Sequence, residues 1–161
     1  MSFSRRFFLL AATLLVAACG FTPVYAPGGT GAALQNKILV DEPQDRNAYW
    51  FTQRFEERLG RAGDARYSLG YKIYIVEQGI AVDPQGYIER YDLLGRTDYE
   101  LRDASTEEIL ASGQVESFTG YSTSGTTVAS LAAERDARER LMIILADQVI
   151  IRLISTFEAP S

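Results

Sequence analysis

The chain has 161 residues, with 16 Lys and Arg against 21 Asp and Glu, a formal net charge of −5 and no histidine. The acidic balance argues against nucleic-acid binding and against electrostatic adhesion to anionic lipid, so an acidic ligand would have to meet a local basic patch. The missing histidine removes Ser-His-Asp and Cys-His catalysis, histidine metal sites and the usual neutral-pH proton shuttle, and a single cysteine allows neither an internal disulfide nor a thiolate metal cluster.

The N-terminus reads as an export signal. Arg5 and Arg6 precede an apolar run from Phe7 to Ala18 that only Thr13 interrupts and that ends in small residues. The run is too short for a bilayer core, which takes about 20 residues. Cys19 follows Ala17-Ala18 directly, where a bacterial lipoprotein signal carries the thiol that is acylated before cleavage. The expectation is removal of residues 1–18 and an N-acyl, diacylglycerol (palmitate-type) lipid on Cys19, with no other cofactor. A multiply acylated cysteine holds a protein at a membrane in effect permanently, whereas one chain binds reversibly. Gly20 stands where an aspartate would retain a lipoprotein in the inner membrane, so similarity to bacterial lipoproteins implies the outer membrane, periplasmic side. Ser4-Arg5-Arg6-Phe7-Phe8-Leu9 also resembles a twin-arginine export signal, although paired arginines are common in ordinary secretory signals too.

Residues 19–36 mix glycine, proline and small polar residues and read as a lipidated tether, with Phe21-Thr22-Pro23-Val24-Tyr25 more apolar than a spacer needs. Gly28-Gly29-Thr30-Gly31 follows no strand and is expected to open no helix. The folded domain is expected over residues 37–157, with 158–161 as a tail. Lys37 to Val40 is a short branched strand stopped by Asp41-Glu42-Pro43. From Asn47, a candidate N-cap, Ala48, Phe51, Phe55 and Leu59 recur at helical spacing up to Gly60–Gly63. Tyr67, Leu69, Tyr71, Ile73 and Ile75 alternate with a mixed second face, and Asp83-Pro84-Gln85-Gly86 is a turn. Tyr91, Leu93, Thr97, Tyr99 and Leu101 then alternate with Asp92, Arg96, Asp98, Glu100 and Arg102. After a turn over Asp103–Glu108, Ile109 leads a further strand towards Phe118. Gly120–Thr127 reads as a polar loop.

A long helix is expected from about Val128 to Phe157. Leu131, Leu141, Ile144, Leu145, Val149 and Leu153 lie down one side, and Glu134 with Arg138 and Asp136 with Arg140 form i,i+4 pairs. Asp147, Gln148 and Arg152 interrupt its apolar half, which counts against a membrane span. The order βαβββα gives an α+β class: a two-layer sandwich with a mostly antiparallel four-stranded sheet and two helices on one face.

Cys19-Gly20-Phe21-Thr22-Pro23-Val24-Tyr25, this element order, and the loop-to-helix stretch Tyr121–Arg140 containing Ala132-Ala133-Glu134-Arg135-Asp136-Ala137-Arg138-Glu139-Arg140 together resemble the lipopolysaccharide-assembly lipoprotein family, LptE, in its alphaproteobacterial form. The resemblance implies a non-enzymatic outer-membrane lipoprotein. Such a protein plugs and helps fold the LptD β-barrel translocon and assists insertion of lipopolysaccharide into the outer leaflet, its partners being that barrel, lipopolysaccharide and, through the lipid, the membrane. If the domain touches acidic saccharide or phosphate itself, Lys72, Arg90, Arg96 and Arg102 are the suitable groups on or beside the long strands. Interspersed with Asp92, Asp98 and Glu100, they read first as a solvated cross-strand charge lattice, ahead of a ligand site. An alternative function is an envelope scaffold lipoprotein that recruits a periplasmic partner. A carboxylate glycosidase is disfavoured, because Glu56-Glu57 and Glu107-Glu108 are sequence neighbours pointing apart rather than a facing pair.

Overall fold

The computed structural model describes residues 29–157. The export signal, Cys19 and the tail 158–161 lie outside the described residues. Seven elements follow in order: α1 (Thr30–Leu34), β1 (Ile38–Val40), α2 (Arg46–Leu59), β2 (Tyr67–Val82), β3 (Ile88–Asp103), β4 (Ile109–Ser122) and α3 (Thr127–Thr156). The sheet order is β1-β2-β3-β4, with β1 parallel to β2 and the other pairs antiparallel. The α+β sandwich expected from the sequence is the fold observed, with one short helix added in front.

That helix corrects the expectation for Gly28–Gly31. Gly29 is the N-cap residue of α1, which has no side-chain cap. Five residues cannot hold a helix by propensity alone; α1 is fixed because Leu34 is fully buried in the core. Asn36 then turns through φ 58 and its N–H donates to the Leu59 carbonyl at 2.7 Å. Gly60, at the C-cap of α2, has φ 81, and a Cβ there would overlap the Asn36 side chain, so both conformation and space require glycine.

The cap of α2 is Asp45 rather than Asn47. Its carboxylate accepts from Ala48 N at 2.7 Å, and the chain turns helical immediately afterwards. Ala48, Phe51, Thr52, Phe55 and Leu59 form the buried stripe. Because β1 and β2 run parallel, with Ile38 beside Tyr67, α2 is the crossover of a βαβ unit.

β2, β3 and β4 form a meander. Asp83 Oδ1 accepts from Gln85 N and Tyr87 N in the first turn, and Asp103 Oδ1 from Ser105 N and Thr106 N in the second. β4 continues to Ser122, so the start of the expected Gly120–Thr127 loop is strand. Leu69, Leu93, Tyr99, Leu101 and Val115 face the helices and are buried, whereas the alternate positions face away.

The Thr126 hydroxyl caps α3 by accepting from Ala129 N. Its buried stripe runs from Ala137 through Leu141, Met142, Leu145, Ala146, Val149 and Ile150 to Leu153. Leu131, expected on that stripe, is 61% exposed. It lies on the correct side of the helix, but six residues, about 9 Å at 1.5 Å each, beyond Ala137, whose carbonyl accepts from Thr119 near the end of β4. No core lies beneath it there. Ile144 also departs from the expectation, at 36% exposed on the outer flank. The i,i+4 pairs Glu134–Arg138 and Asp136–Arg140 both form. Arg54 of α2 grips Asp147 of α3 with Nε and a terminal nitrogen at 3.0 and 2.9 Å, joining the helices over their shared core. No helix among the described residues is long and apolar enough to cross a membrane.

Among the described residues, one buried side-chain polar atom lacks a partner. Thr97 is 0% exposed and its Oγ1 makes no hydrogen bond. Thr97→Val removes the stranded hydroxyl and keeps the shape, and is expected to stabilise the domain by about 1 kcal/mol. The urea midpoint would rise with an unchanged slope; a lower midpoint would show that the hydroxyl is satisfied in solution.

Candidate interaction surface

The face of the sheet turned away from the helices is uncovered among the described residues. Its register places side chains in rows across β2, β3 and β4. One row is Lys72, Asp98 and Gln114, with Gln114 Nε2 donating to Asp98 Oδ1 at 2.8 Å. The next is Tyr74, Arg96 and Glu116. The Arg96 guanidinium lies 4.5 Å from the Tyr74 ring centroid and its Nε 3.6 Å from Asp98. Then come Val76, Leu94 and Phe118, which are 62%, 43% and 65% exposed. With Tyr74 and Arg96 they line an apolar hollow of about 590 Å³.

All four candidate cations reach this face or its rim, but they do not converge. Arg90 and Arg102 are twelve residues apart on β3, about 40 Å at 3.3 Å per residue. Arg102 pairs with Glu100 beside it, which, more than the nearby charges of Glu100 and other acids, raises its already high pKa. Lys72 and Arg102 share a depression with Asp41, Asp98 and Glu100. Two of the four cations pair along β3, Arg96 with Asp98 and Arg102 with Glu100. Cys19 lies outside the described residues.

The apolar row was missed in the sequence. Leu93-Leu94 and the second face of β2 carried the signal, since a strand with one wet face should not place Val76, Leu94 and Phe118 side by side on it.

On the opposite face, where β2 and α3 meet, Tyr121 donates to Glu77 Oε1 at 2.9 Å and Arg138 holds Glu77 Oε2 at 2.9 Å and Glu134 at 2.8 Å. Tyr91 stacks on Tyr121 at 5.4 Å. Burial, helped by the Glu77 carboxylate, pushes the Tyr121 phenol well above its ordinary pKa, and burial also raises Tyr71 and Tyr99. These groups hold their protons more tightly folded than unfolded. Their contribution is complete below the unfolded value near 10 and is lost as pH rises past it. Urea midpoints are expected to fall from about pH 10 upward, and Tyr121→Phe to make that fall shallower; an unchanged slope in the variant would remove Tyr121 from the effect.

The described residues form a two-layer α+β domain whose outer sheet face carries both apolar and charged side chains. The chain belongs to the lipopolysaccharide-assembly (LptE) family, whose model matches residues 35–153. Among solved structures, a lipoprotein from Caulobacter crescentus CB15 is similar at 20% identity and TM-score 0.66, over 80% of this chain and 95% of that one. The rare lipoprotein B of Shewanella oneidensis is similar at 14% identity and TM-score 0.57, over 74% and 93%. A minor lipoprotein of Acinetobacter baumannii is similar at 11% identity and TM-score 0.56, over 77% and 95%. These three share the fold. No curated protein sequence matches the chain.

Proposed function

We propose that this chain is an outer-membrane lipoprotein, anchored through Cys19 on the periplasmic side, that plugs and assists folding of an LptD-like β-barrel and helps lipopolysaccharide reach the outer leaflet. The family match over residues 35–153 carries the reading. The sequence before Cys19 supports the anchor, and the uncovered face supports a partner: a polar barrel lumen suits its lattice of both charge signs. Lys72, Arg90, Arg96 and Arg102 act here as a distributed lattice, each beside an acid, rather than as one phosphate clamp.

The test is affinity recovery of the natively lipidated chain from detergent-solubilised outer membrane. One large β-barrel recovered in equal amount supports the reading; soluble periplasmic proteins with no barrel overturn it and favour a scaffold role. Cys19→Ser is expected to move nearly all of the protein from the membrane to the soluble fraction. Retention in the membrane would sink the anchor.

A further inference from the structure

The sheet has two edges, and they are not alike. β1 ends one side with 3 residues, whereas β4 ends the other with 14. Thr123 N donates to the Glu89 carbonyl at 2.9 Å, and from Ser122 back to Ala111 the pairing of β4 with β3 keeps that register. In an antiparallel ladder, residues bonded to the neighbouring strand alternate with residues turned away from it. The odd-numbered residues of β4 therefore bond to β3, and the even-numbered ones turn N–H and C=O outward. The Gly120 carbonyl follows that parity, accepting from Arg140 Nη2 at 3.3 Å. Ser112, Gln114, Glu116 and Phe118 then present a row of main-chain donors and acceptors about 20 Å long, which nothing among the described residues takes up. β4 contains no proline or lysine, the residues that ordinarily blunt such an edge.

α3 builds a ledge along this edge. Arg140, Ile144, Gln148 and Ile151 fall on one stripe of the helix by their spacing. Arg140 meets Gly120 at one end, and at the other a hollow of about 430 Å³ is lined by Gln114, Val115, Glu116, Gln148, Ile151 and Arg152. Ile144 and Ile151 are partly bare on the ledge, as Phe118 is on the outer face of β4. Glu116 and Arg152, of opposite sign, enter no ion pair among the described residues.

We propose that the free edge of β4 binds an extended segment of another protein, about seven residues long, as a fifth strand. Only the main chain of a strand matches donors and acceptors alternating along a line. Its side chains fall by turns on the Ile144–Ile151 ledge and beside Phe118, which suits apolar, uncharged residues; the opposed charges of Glu116 and Arg152 give no net field to draw a charged one. A second copy of this chain fits poorly. α3 lies chiefly over β4, so joining β4 to its counterpart would set two α3 axes little farther apart than the strands, about 4.8 Å, where packed helices need about 8–10 Å. A bare segment brings no helix with it. Binding at this edge does not depend on the barrel reading.

The probe is a capped ten-residue peptide, four Thr-Val repeats between two lysines whose charges keep it dispersed, added to the isotope-labelled, natively lipidated chain in detergent up to about 1 mM. Amide exchange followed by NMR reads the edge residue by residue. In the free chain the N–H groups of Ser112, Gln114, Glu116 and Phe118 should exchange freely while those of Gly113, Val115 and Ser117 are protected. The peptide should slow the first set at least about fivefold. The same peptide N-methylated throughout keeps the side chains, loses the donors and should protect nothing. Glu116→Pro removes an outward N–H where an edge strand tolerates proline, and should weaken binding at least about tenfold. Ile151→Asp leaves the strand intact and should weaken it about threefold or more. Even-numbered amides already protected in the free chain would overturn the proposal, because the edge would then be filled by the chain's own N-terminal segment or by a second copy. So would a peptide that protects none of them, an N-methylated peptide that protects them equally, or binding indifferent to both substitutions.

Discussion

Replacing Phe51 with alanine is expected to lower the stability of the domain by about 3–5 kcal/mol, the range for deleting a buried aromatic ring. Phe51 is fully buried on the inner face of α2. Its ring stands 4.7 Å from that of Tyr71 and 6.4 Å from that of Phe55, so it links the crossover helix to β2 as well as to its own helix. The chain cannot close the space easily, because Asp147 clamps α2 to α3 through Arg54. The thermal midpoint should fall by on the order of 10 °C or more. Tyr49→Ala, two residues away but 56% exposed, should change it little. A loss under about 1 kcal/mol for Phe51→Ala would mean that α2 is not part of the cooperative core.

Gly95→Leu should destabilise the domain by about 2–3 kcal/mol, through crowding rather than loss of contact. Gly95 lies in mid-β3 under α3, and a Cβ there would come 2.9 Å from both Leu141 Cδ2 and Leu145 Cδ1. Both leucines are fully buried, so a methyl can be accommodated by small rotations of their ends, whereas a full leucine must lift the helix. Gly95→Ala is therefore expected to stay within about 1 kcal/mol, helped by the entropy a glycine forfeits in a strand. Equilibrium unfolding of both variants tests the ranking; Leu tolerated as well as Ala would show that α3 does not press on β3 at this point.

The architecture was largely legible because its signals are periodic. Tyr67, Leu69 and Tyr71 on β2, and Leu93, Thr97, Tyr99 and Leu101 on β3, alternate with polar residues, and this alternation marks the face that the helices cover. Periodicity says nothing where tertiary contact decides. α1 has no helical signal in Gly29-Thr30-Gly31 and exists because Leu34 finds a place under α3. Asp45 and Asn47 are both good caps by residue type, and the extended backbone at Asp45, with its carboxylate on Ala48 N, shows which one is used. Leu131 fits the apolar side of α3 perfectly well, and is bare because the sheet stops short of it.

The candidate surface was half legible. Alternating signs at Arg96, Asp98, Glu100 and Arg102 announced a wet charged face. A search for apolar stripes takes Leu93 as core and stops, so its neighbour Leu94 on the other side went unweighed. Phe118, expected near the end of its strand, lies well within β4, which continues to Ser122. Once register aligns these two with Val76, three separate exceptions become one row.

The position of α3 also sets the order in which the molecule can be assembled. Its 30 residues supply eight of the buried positions and touch α1, α2, β3 and β4, yet they come last among the described elements. Without them, the inner face of the meander, including Leu93, Leu101 and Val115, loses the long helix that packs on β3 and β4. A chain delivered N-terminus first therefore cannot complete this core until α3 arrives, and packing α3 on α2 closes contacts of long sequence separation. Substitutions in the apolar half of α3, such as at Leu141 or Leu145, should accordingly slow folding, whereas an exposed change such as Tyr49→Ala should leave the rate untouched.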